Sequence, residues 1–135
     1  MEGVLISLSK DSRNLKHLEP LNQAGIKCVL LDKTLKSNKY PTVTIDNSEA
    51  SYQATSYLIE KGHQTILGIF GNPNFSISKE RIDGYIKAME DHNLAVVKEN
   101  IISVKKSADL DYILPPILNH NDKISALFTM SDELL

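Results

Sequence analysis

The pattern of apolar and polar residues changes its period repeatedly along the chain, and this alternation predicts an α/β fold. Short apolar or alternating runs predict six β-strands at residues 3–9, 27–32, 42–45, 65–70, 100–104 and 124–130. Apolar residues three or four positions apart predict four helices at residues 15–24, 46–61, 76–92 and 108–118. Strands and helices that alternate in this way form right-handed βαβ units, so we expect parallel sheets flanked by helices.

The second helix has a strong start signal. Asp46, Asn47 and Ser48 are all favourable N-cap residues, and Asp46 followed by Glu49 resembles a capping box. Asp46 and Asn47 also follow a strand, where ligands bind in α/β proteins, but capping is the favoured interpretation. Small residues between positions 50 and 55 predict a close approach to a neighbouring backbone, and Gly62 is expected to end the helix.

The third helix carries four apolar residues spaced i, i+3, i+4 and i+7, which indicates a core-facing stripe. Gly84 and Ala88 beside this stripe are expected to let the helix pack closely on the sheet. Prolines disturb two other helices. Pro20 weakens the first half of the first helix, and Pro115-Pro116 are expected to interrupt the fourth.

Composition is that of a soluble globular protein with about one domain's worth of chain. The net charge of −2, without a long run of like charges, argues against nucleic-acid binding by this chain itself. No apolar stretch approaches the roughly 18 residues that span a bilayer, and the first residues lack a signal-peptide pattern. The one cysteine, Cys28, excludes an internal disulfide, which fits a reducing compartment, so we expect a cytoplasmic protein. Cys28 itself is expected to be a buried small hydrophobe.

The signatures of common catalytic and cofactor sites are missing from the sequence. The loop at residues 71–75 fits neither glycine-rich phosphate-binding pattern, and there is no nucleophile elbow and no HExxH motif. The four histidines are scattered, and none is paired with another at metal-ligand spacing. We therefore expect no cofactor, no metal site and no catalytic residue, and the chain is not expected to be an enzyme.

Polar residues follow several predicted strands, and the carboxyl ends of parallel strands lie at one edge of a sheet. Asp32 ends the second strand, the segment containing Ser76 follows the fourth, and Ser131-Asp132 follow the last. Their carboxylate and hydroxyl groups could therefore converge on one cleft. Asp132 could equally cap a final helix.

Arg81 is unusual because it is a cation near the N-terminal end of a helix, where the helix dipole disfavours it by roughly a few tenths of a kcal/mol. From this stretch alone, a ligand contact and a solvated surface position explain Arg81 equally well. Carboxylates accept two hydrogen bonds in a plane and arginine donates two in a fixed fork, which suits a ligand with vicinal hydroxyls such as a sugar. Phe75 could offer an apolar face to the ring of that ligand.

Three segments of the chain carry a family resemblance. They are VTIDNSEASYQATSYLIEKGHQTILGIFG (residues 43–71), SISKERIDGYIKAM (residues 76–89) and ISALFTMSDELL (residues 124–135). Together they resemble the effector-binding core of the lactose-repressor (LacI/GalR) family of bacterial transcription regulators, and the upstream EGVLISLS and AGIKCVLLDK fit the same framework. The resemblance implies a type I periplasmic-binding-protein-like fold, with two α/β subdomains and a small-molecule site in the cleft between them.

The resemblance also implies a domain organisation. Residues 1–45 would be part of the N-terminal effector subdomain and residues 46–135 most of the C-terminal one, which makes an incomplete two-subdomain core. The abrupt ends of the sequence agree with a fragment of a longer polypeptide. In that polypeptide the resemblance implies an N-terminal helix-turn-helix DNA-binding domain, absent from this chain, and a homodimer. A sugar-like effector would shift the angle between the subdomains and so control operator binding.

Individual site residues follow from the resemblance by position. Arg81 resembles the family's effector-clamping arginine, Asp132 resembles the aspartate of an Asn-Asp pair, and Asp32 resembles a cleft aspartate. Ser131 replaces the asparagine of that pair, so the hydrogen bonds at this corner are expected to differ. The residues expected to contact the effector are Arg81, Asp132, Asp32, Phe75, Ser76 and Ser131.

Two other functions stay open at this point. A sugar-binding component of a transport system has the same fold, and a signal peptide ahead of this chain would indicate it, whereas a helix-turn-helix segment would indicate a regulator. An α/β enzyme, such as a small hydrolase or a nucleotide-binding protein, is disfavoured by the missing motifs. Turnover of an acyl or phosphoryl substrate would indicate an enzyme.

Overall fold

The computed structural model divides the chain into two compact units, each with its own three-stranded parallel sheet. The first unit comprises Met1–Ile45 with Asn74–Ile77, and the second comprises Asp46–Pro73 with Ser78–Leu135. The structure describes residues 2–9, 12, 14–32, 39–120, 122–131 and 134. All the predicted strands and helices are present among them, with ends that differ from the prediction by a few residues.

The sheet of the first unit has the order β1-β2-β3, and its strands run parallel. These strands are β1 (Gly3–Ser7), β2 (Lys27–Leu31) and β3 (Thr42–Val43). A turn of 3-10 helix (Lys16–Leu18) leads into the short helix α1 (Glu19–Gln23). Pro20 therefore lies in the first turn of α1, where the missing N–H of proline breaks no helical hydrogen bond.

The core of the first unit consists of apolar side chains from the sheet and from the segments that flank it. Cys28 on β2 is buried among them, so its predicted role as a small hydrophobe is confirmed. Its buried neighbours in this core are Leu8, Leu15, Leu18, Leu30 and Tyr40. Since buried and half-buried residues alternate along β2, one face of this central strand meets the core.

The sheet of the second unit has the order β5-β4-β6, again with parallel strands. These strands are β4 (Ile66–Phe70), β5 (Ile101–Ser103) and β6 (Ala126–Thr129). The helices of this part of the chain are α2 (Asn47–Glu60), α3 (Ser76–Asp91) and α4 (Leu110–His120). Every residue of β4 is buried, as expected for the central strand of a parallel sheet.

Three aromatic rings form the centre of the second unit's core. Phe70, Tyr85 and Phe128 lie with ring centroids 5.7 to 6.2 Å apart, a range in which aromatic pairs attract each other. Tyr85 is 1% exposed, and its hydroxyl donates a hydrogen bond of 2.7 Å to the carbonyl oxygen of Ile66. The apolar stripe predicted on α3 therefore faces the core.

Burial gives Tyr85 a measurable pH dependence. Loss of water raises the pKa of its hydroxyl from the ordinary value of 10.0 to about 12. Because the folded state then holds this proton more tightly than the unfolded state, the stabilisation is complete below about pH 10 and is lost as the pH rises towards about 12. We expect the urea midpoint to fall over that range.

A pair of phenylalanine variants tests this assignment by urea unfolding at several pH values. Tyr85→Phe should remove the part of the midpoint's fall that occurs between about pH 10 and 12. Tyr112→Phe should keep it, because Tyr112 is 82% exposed. A midpoint that falls equally in the Tyr85→Phe variant would assign the alkaline transition to other groups.

Helix α2 begins and ends as predicted. The carboxylate of Asp46 caps its first turn by accepting a hydrogen bond of 2.9 Å from the backbone N–H of Glu49. The predicted capping box is only half formed, because the carboxylate of Glu49 accepts a hydrogen bond from Gln53 at 2.9 Å and not from the backbone of Asp46. Gly62 follows the helix with a φ of 95°, a left-handed conformation that glycine adopts without strain.

Helices α2 and α3 approach each other very closely. A Cβ atom at Gly84 would collide with the carbonyl oxygen of Ser48, and it would lie 2.9 Å from the carbonyl carbon of that residue. Ser51 is buried beside it, and its hydroxyl donates a hydrogen bond of 2.6 Å to the carbonyl oxygen of Arg81. The predicted close approach of α2 is confirmed. The expectation that Gly84 packs on the sheet is wrong, because the side of Gly84 where a Cβ would lie faces α2.

The predicted interruption of α4 is also wrong. The helix continues from Leu110 to His120 with Pro115 and Pro116 inside it. Each proline removes one hydrogen bond to the carbonyl four residues earlier, which belongs to Asp111 or Tyr112. These residues and both prolines are exposed, so water can bond the carbonyl groups that the prolines leave unpaired.

Candidate functional site

Arg81 is held by the protein rather than by solvent. It is the sixth residue of α3, and its side chain is half-buried in the second unit. Its Nε donates a hydrogen bond of 3.2 Å to Oδ1 of Asn47, and its Nη1 donates another to the carbonyl oxygen of Met130. These bonds use two of the five N–H donors of the guanidinium. These bonds contradict a side chain held by solvent alone, which was one of the two interpretations of the sequence.

Asn47 is a functional candidate for which the sequence favoured a role in helix capping. It is the first residue of α2 and is 2% exposed, and its Nδ2 donates a hydrogen bond of 2.9 Å to Oε2 of Glu80. The interpretation of Asn47 as a cap is wrong, because Asp46 occupies that position. One sequence signal pointed to this result: once Asp46 is the cap, a second capping residue is redundant.

Met130 places the carbonyl group that Arg81 contacts. It follows β6, and its buried sulfur accepts a hydrogen bond of 2.8 Å from the backbone N–H of Gly71, at the end of β4. The hydroxyl of Ser78, on α3, lies 3.7 Å from the same sulfur. Gly71 leaves room for this contact, since a Cβ there would lie 3.3 Å from the sulfur. The thioether thus joins the carboxyl ends of β4 and β6 to the start of α3.

The structure brings two of the predicted site residues to one corner of the second unit. Ser131 is half-buried and directly follows Met130, whose carbonyl oxygen bonds Arg81. Asp132, the other member of the predicted pair, lies outside the described residues. The predicted contacts of these residues with an effector stay predictions.

The remaining predicted site residues belong to the first unit. Asp32 directly follows β2, is exposed, and has a φ of 62°, a conformation that aspartate tolerates better than most residues. Phe75 is 6% exposed, so little of its ring is open to a ligand in this conformation. Ser76 begins α3 and is half-buried.

The described residues do not point to a metal centre or a membrane span. Within residues 2–9, 12, 14–32, 39–120, 122–131 and 134, no three histidine, cysteine or carboxylate residues are grouped so that they could hold a metal ion. In the same part of the chain, no helix is both long and apolar enough to cross a membrane. The partners that hold Arg81, the amide of Asn47 and the carbonyl oxygen of Met130, are hydrogen-bonding groups, and this arrangement is suited to binding a polar molecule.

Comparison with known proteins identifies the family. Residues 1–134 match the family described as periplasmic binding proteins and sugar binding domain of LacI family. The chain belongs to this family. One relative is the HTH-type transcriptional repressor PurR of Actinobacillus pleuropneumoniae, which is 39% identical over 100 residues, or 73% of this chain and 29% of PurR. Catabolite control protein A of Priestia megaterium is 27% identical over 121 residues, or 88% of this chain and 36% of that protein.

Solved structures of LacI-family regulators have the same fold. The transcription regulator CcpA of Lactococcus lactis gives a TM-score of 0.81 at 21% identity, over 98% of this chain and 48% of CcpA. The CelR–cellobiose complex gives a TM-score of 0.76 at 25% identity, over 98% of this chain and 41% of CelR. The predicted fold class and the resemblance to the LacI family are therefore confirmed, and the chain matches the ligand-binding domain of these regulators.

The match covers only part of each relative. The chain spans about a third of the length of PurR and of catabolite control protein A, and about half that of CcpA. PurR is described as a transcriptional repressor and CcpA as a transcription regulator.

Proposed function

We propose that this chain is the ligand-sensing core of a LacI-type transcription regulator, and that a polar small molecule of the sugar class binds at Arg81. One observation carries the proposal: the guanidinium of Arg81 is anchored by Asn47 and by the carbonyl oxygen of Met130, at the carboxyl ends of β4 and β6. In open α/β sheets this is the edge where ligands bind.

The chemistry of the corner supports a hydroxyl-rich ligand. Two anchors leave Arg81 with three further N–H donors, and guanidinium donors in a fixed plane suit neighbouring hydroxyl oxygens. The hydroxyl of Ser131, the residue after Met130, can both donate and accept a hydrogen bond. We propose that Asp32, Phe75, Ser76 and Asp132 supply further effector contacts. The cellobiose in the name of the CelR complex agrees with a sugar as the ligand class.

The proposal extends to the longer protein. Residues 1–45 would be part of its N-terminal effector subdomain and residues 46–135 most of the C-terminal one. The protein would be a cytoplasmic homodimer that contacts operator DNA through a helix-turn-helix domain ahead of this chain. An effector that binds two dimer conformations unequally shifts their populations, and the affinity for operator DNA changes by the same coupling free energy. No bond is made or broken.

A two-stage experiment on the full-length protein tests this function. A thermal-shift screen of monosaccharides, disaccharides and nucleosides should give at least one compound that raises the melting temperature, since a molecule that binds only the folded state stabilises it. DNA selected from a random duplex library should bind the purified protein, and fluorescence anisotropy should then show that the compound changes the affinity for this DNA.

The other outcomes would overturn the proposal in distinct ways. A sugar that binds tightly to a protein with a signal peptide and no DNA affinity would indicate a transport component. Sustained turnover of an acyl or phosphoryl compound would indicate an enzyme. A folded protein that no compound of the panel stabilises would contradict the sugar-like ligand class.

A further inference from the structure

Asn47 connects α2 to α3, the helix that carries Arg81, through both ends of one side-chain amide. Its Oδ1 accepts the hydrogen bond from Nε of Arg81 at 3.2 Å, and its Nδ2 donates to Oε2 of Glu80 at 2.9 Å. Asn47 lies on α2, whereas Arg81 and Glu80 are neighbours on α3. All three residues lie in the second unit.

Helix formation does not account for this asparagine. The N-cap of α2 is Asp46, and the side chain of Asp46 already bonds the N–H of Glu49. Asparagine is a mediocre helix former, and burying its amide is unfavourable unless the polar atoms find partners. The partners that Asn47 finds are two charged side chains of α3.

The chemistry of those partners explains why the group between them is an amide. A guanidinium has only donors, so it must face an oxygen, while an ionised carboxylate has only acceptors, so it must face an N–H. A primary amide offers both in one plane. Glu80 therefore fixes which way the amide points, and the amide oxygen in turn fixes Nε of Arg81.

We propose that Asn47 is a positioning residue for Arg81: it sets the plane of the guanidinium, with Glu80 holding its amide in the correct orientation. The bond to Asn47 and the bond to the carbonyl oxygen of Met130 engage two different nitrogens, which stops rotation of the guanidinium before a ligand arrives. A preorganised group loses less conformational freedom on binding. The role in ligand affinity rests on the proposed function, but the positioning itself does not.

Side-chain NMR of the full-length protein, labelled with 15N-arginine, tests the positioning without any ligand. The Nε–H signal of Arg81 is identified by its absence in Arg81→Lys. Asn47→Ala should shift this signal and speed its exchange with water by at least about tenfold, because the anchor is lost. Asn47→Asp keeps an oxygen for Nε but sets a second carboxylate against that of Glu80, so it should shift the signal by a smaller amount. The double variant Asn47→Asp/Glu80→Gln restores a donor opposite an acceptor with unchanged side-chain shapes, and it should return both properties towards those of the wild type.

A matched control separates positioning from a charge effect on α2. Gln53→Glu also turns an amide into a carboxylate opposite a carboxylate, that of Glu49, at an exposed site on the same helix. It should leave the Arg81 signal unchanged. If Asn47→Ala fails to fold, the comparison of Asn47→Asp with the double variant still decides the question, since both keep the wild-type side-chain shapes.

Three results would overturn the proposal. They are an unchanged Arg81 signal in folded Asn47→Ala, a folded double variant that does not restore the signal, and an equal loss in Gln53→Glu. None of them bears on the sugar-sensing function.

Ligand affinity gives a second, independent readout. For the panel compound with the largest thermal shift, Asn47→Ala should weaken binding roughly three- to tenfold, and it should cause no further loss in an Arg81→Ala background. An equal loss in both backgrounds would show that Asn47 acts on the ligand independently of Arg81 and would overturn the positioning role. If no panel compound binds, the proposed function fails, whereas the NMR result still decides how Arg81 is held.

Discussion

Gly84→Ala is expected to lower the free energy of unfolding of the second unit by about 2 kcal/mol. The new methyl group would collide with the carbonyl oxygen of Ser48 and lie 3.0 Å from Cβ of Ser51, so α2 and α3 must separate. Overpacking costs typically about 1–3 kcal/mol, and a collision with backbone belongs at the upper end because a main chain cannot rotate away. Alanine's better helix propensity returns about 1 kcal/mol. Urea unfolding followed by circular dichroism measures the difference.

Glu90→Ala is the matched control, because Glu90 is an exposed residue of the same helix. An exposed substitution away from any special contact should change the free energy of unfolding by no more than about 0.5 kcal/mol. If Gly84→Ala were as stable as Glu90→Ala, the two helices would have to pack less closely in solution than the position of Ser48 requires.

Arg81→Ala is expected to weaken effector binding by the full-length protein by at least about 1.5 kcal/mol, or roughly tenfold in the dissociation constant. This is the scale of one hydrogen bond to a charged group, and the proposed site offers more than one. Isothermal titration with the compound found in the thermal-shift screen measures the change. Arg81→Lys should recover little of the loss, since lysine keeps the charge but lacks the planar fork.

Lys79→Ala controls for the loss of a positive charge from α3. Lys79 lies two residues before Arg81, and its exposed ammonium group is 3.8 Å from the carboxylate of Asp83, one turn along the helix. Its replacement should leave the dissociation constant unchanged. A folded Arg81→Ala variant with wild-type affinity would remove Arg81 from the effector site.

The elements of the fold were predictable because their signals are local. The apolar run of β4 and the capping aspartate of α2 depend on neighbours within a few residues, and the structure has both where they were expected. The prediction for α4 was wrong because the destabilisation that a proline causes depends on whether water can reach the carbonyl group it leaves unpaired. An exposed helix can hydrate the carbonyl groups that a proline leaves unpaired, and the sequence does not state which face is exposed.

The candidate site was predictable only in part, because its contacts join distant segments. Arg81 was identified because a positive charge near the N-terminal end of a helix is disfavoured by the helix dipole, and this signal is local. Its anchors lie 34 residues before it, at Asn47, and 49 residues after it, at Met130. Likewise, the sequence indicates that Gly84 allows close packing, but only the fold shows that the element packed against it is α2 and not the sheet.

One anchor of Arg81 is a main-chain oxygen, and this has an evolutionary consequence. A substitution at Met130 can change the side chain but cannot delete the carbonyl group that Arg81 contacts. Neighbouring side chains, such as that of Ser131, are therefore free to diverge as one member of a family changes its preferred small molecule for another. In the proposed effector site, this main-chain anchor would stay in place while other side chains vary, so we expect new specificities to arise through single substitutions that leave Arg81 and Asn47 unchanged.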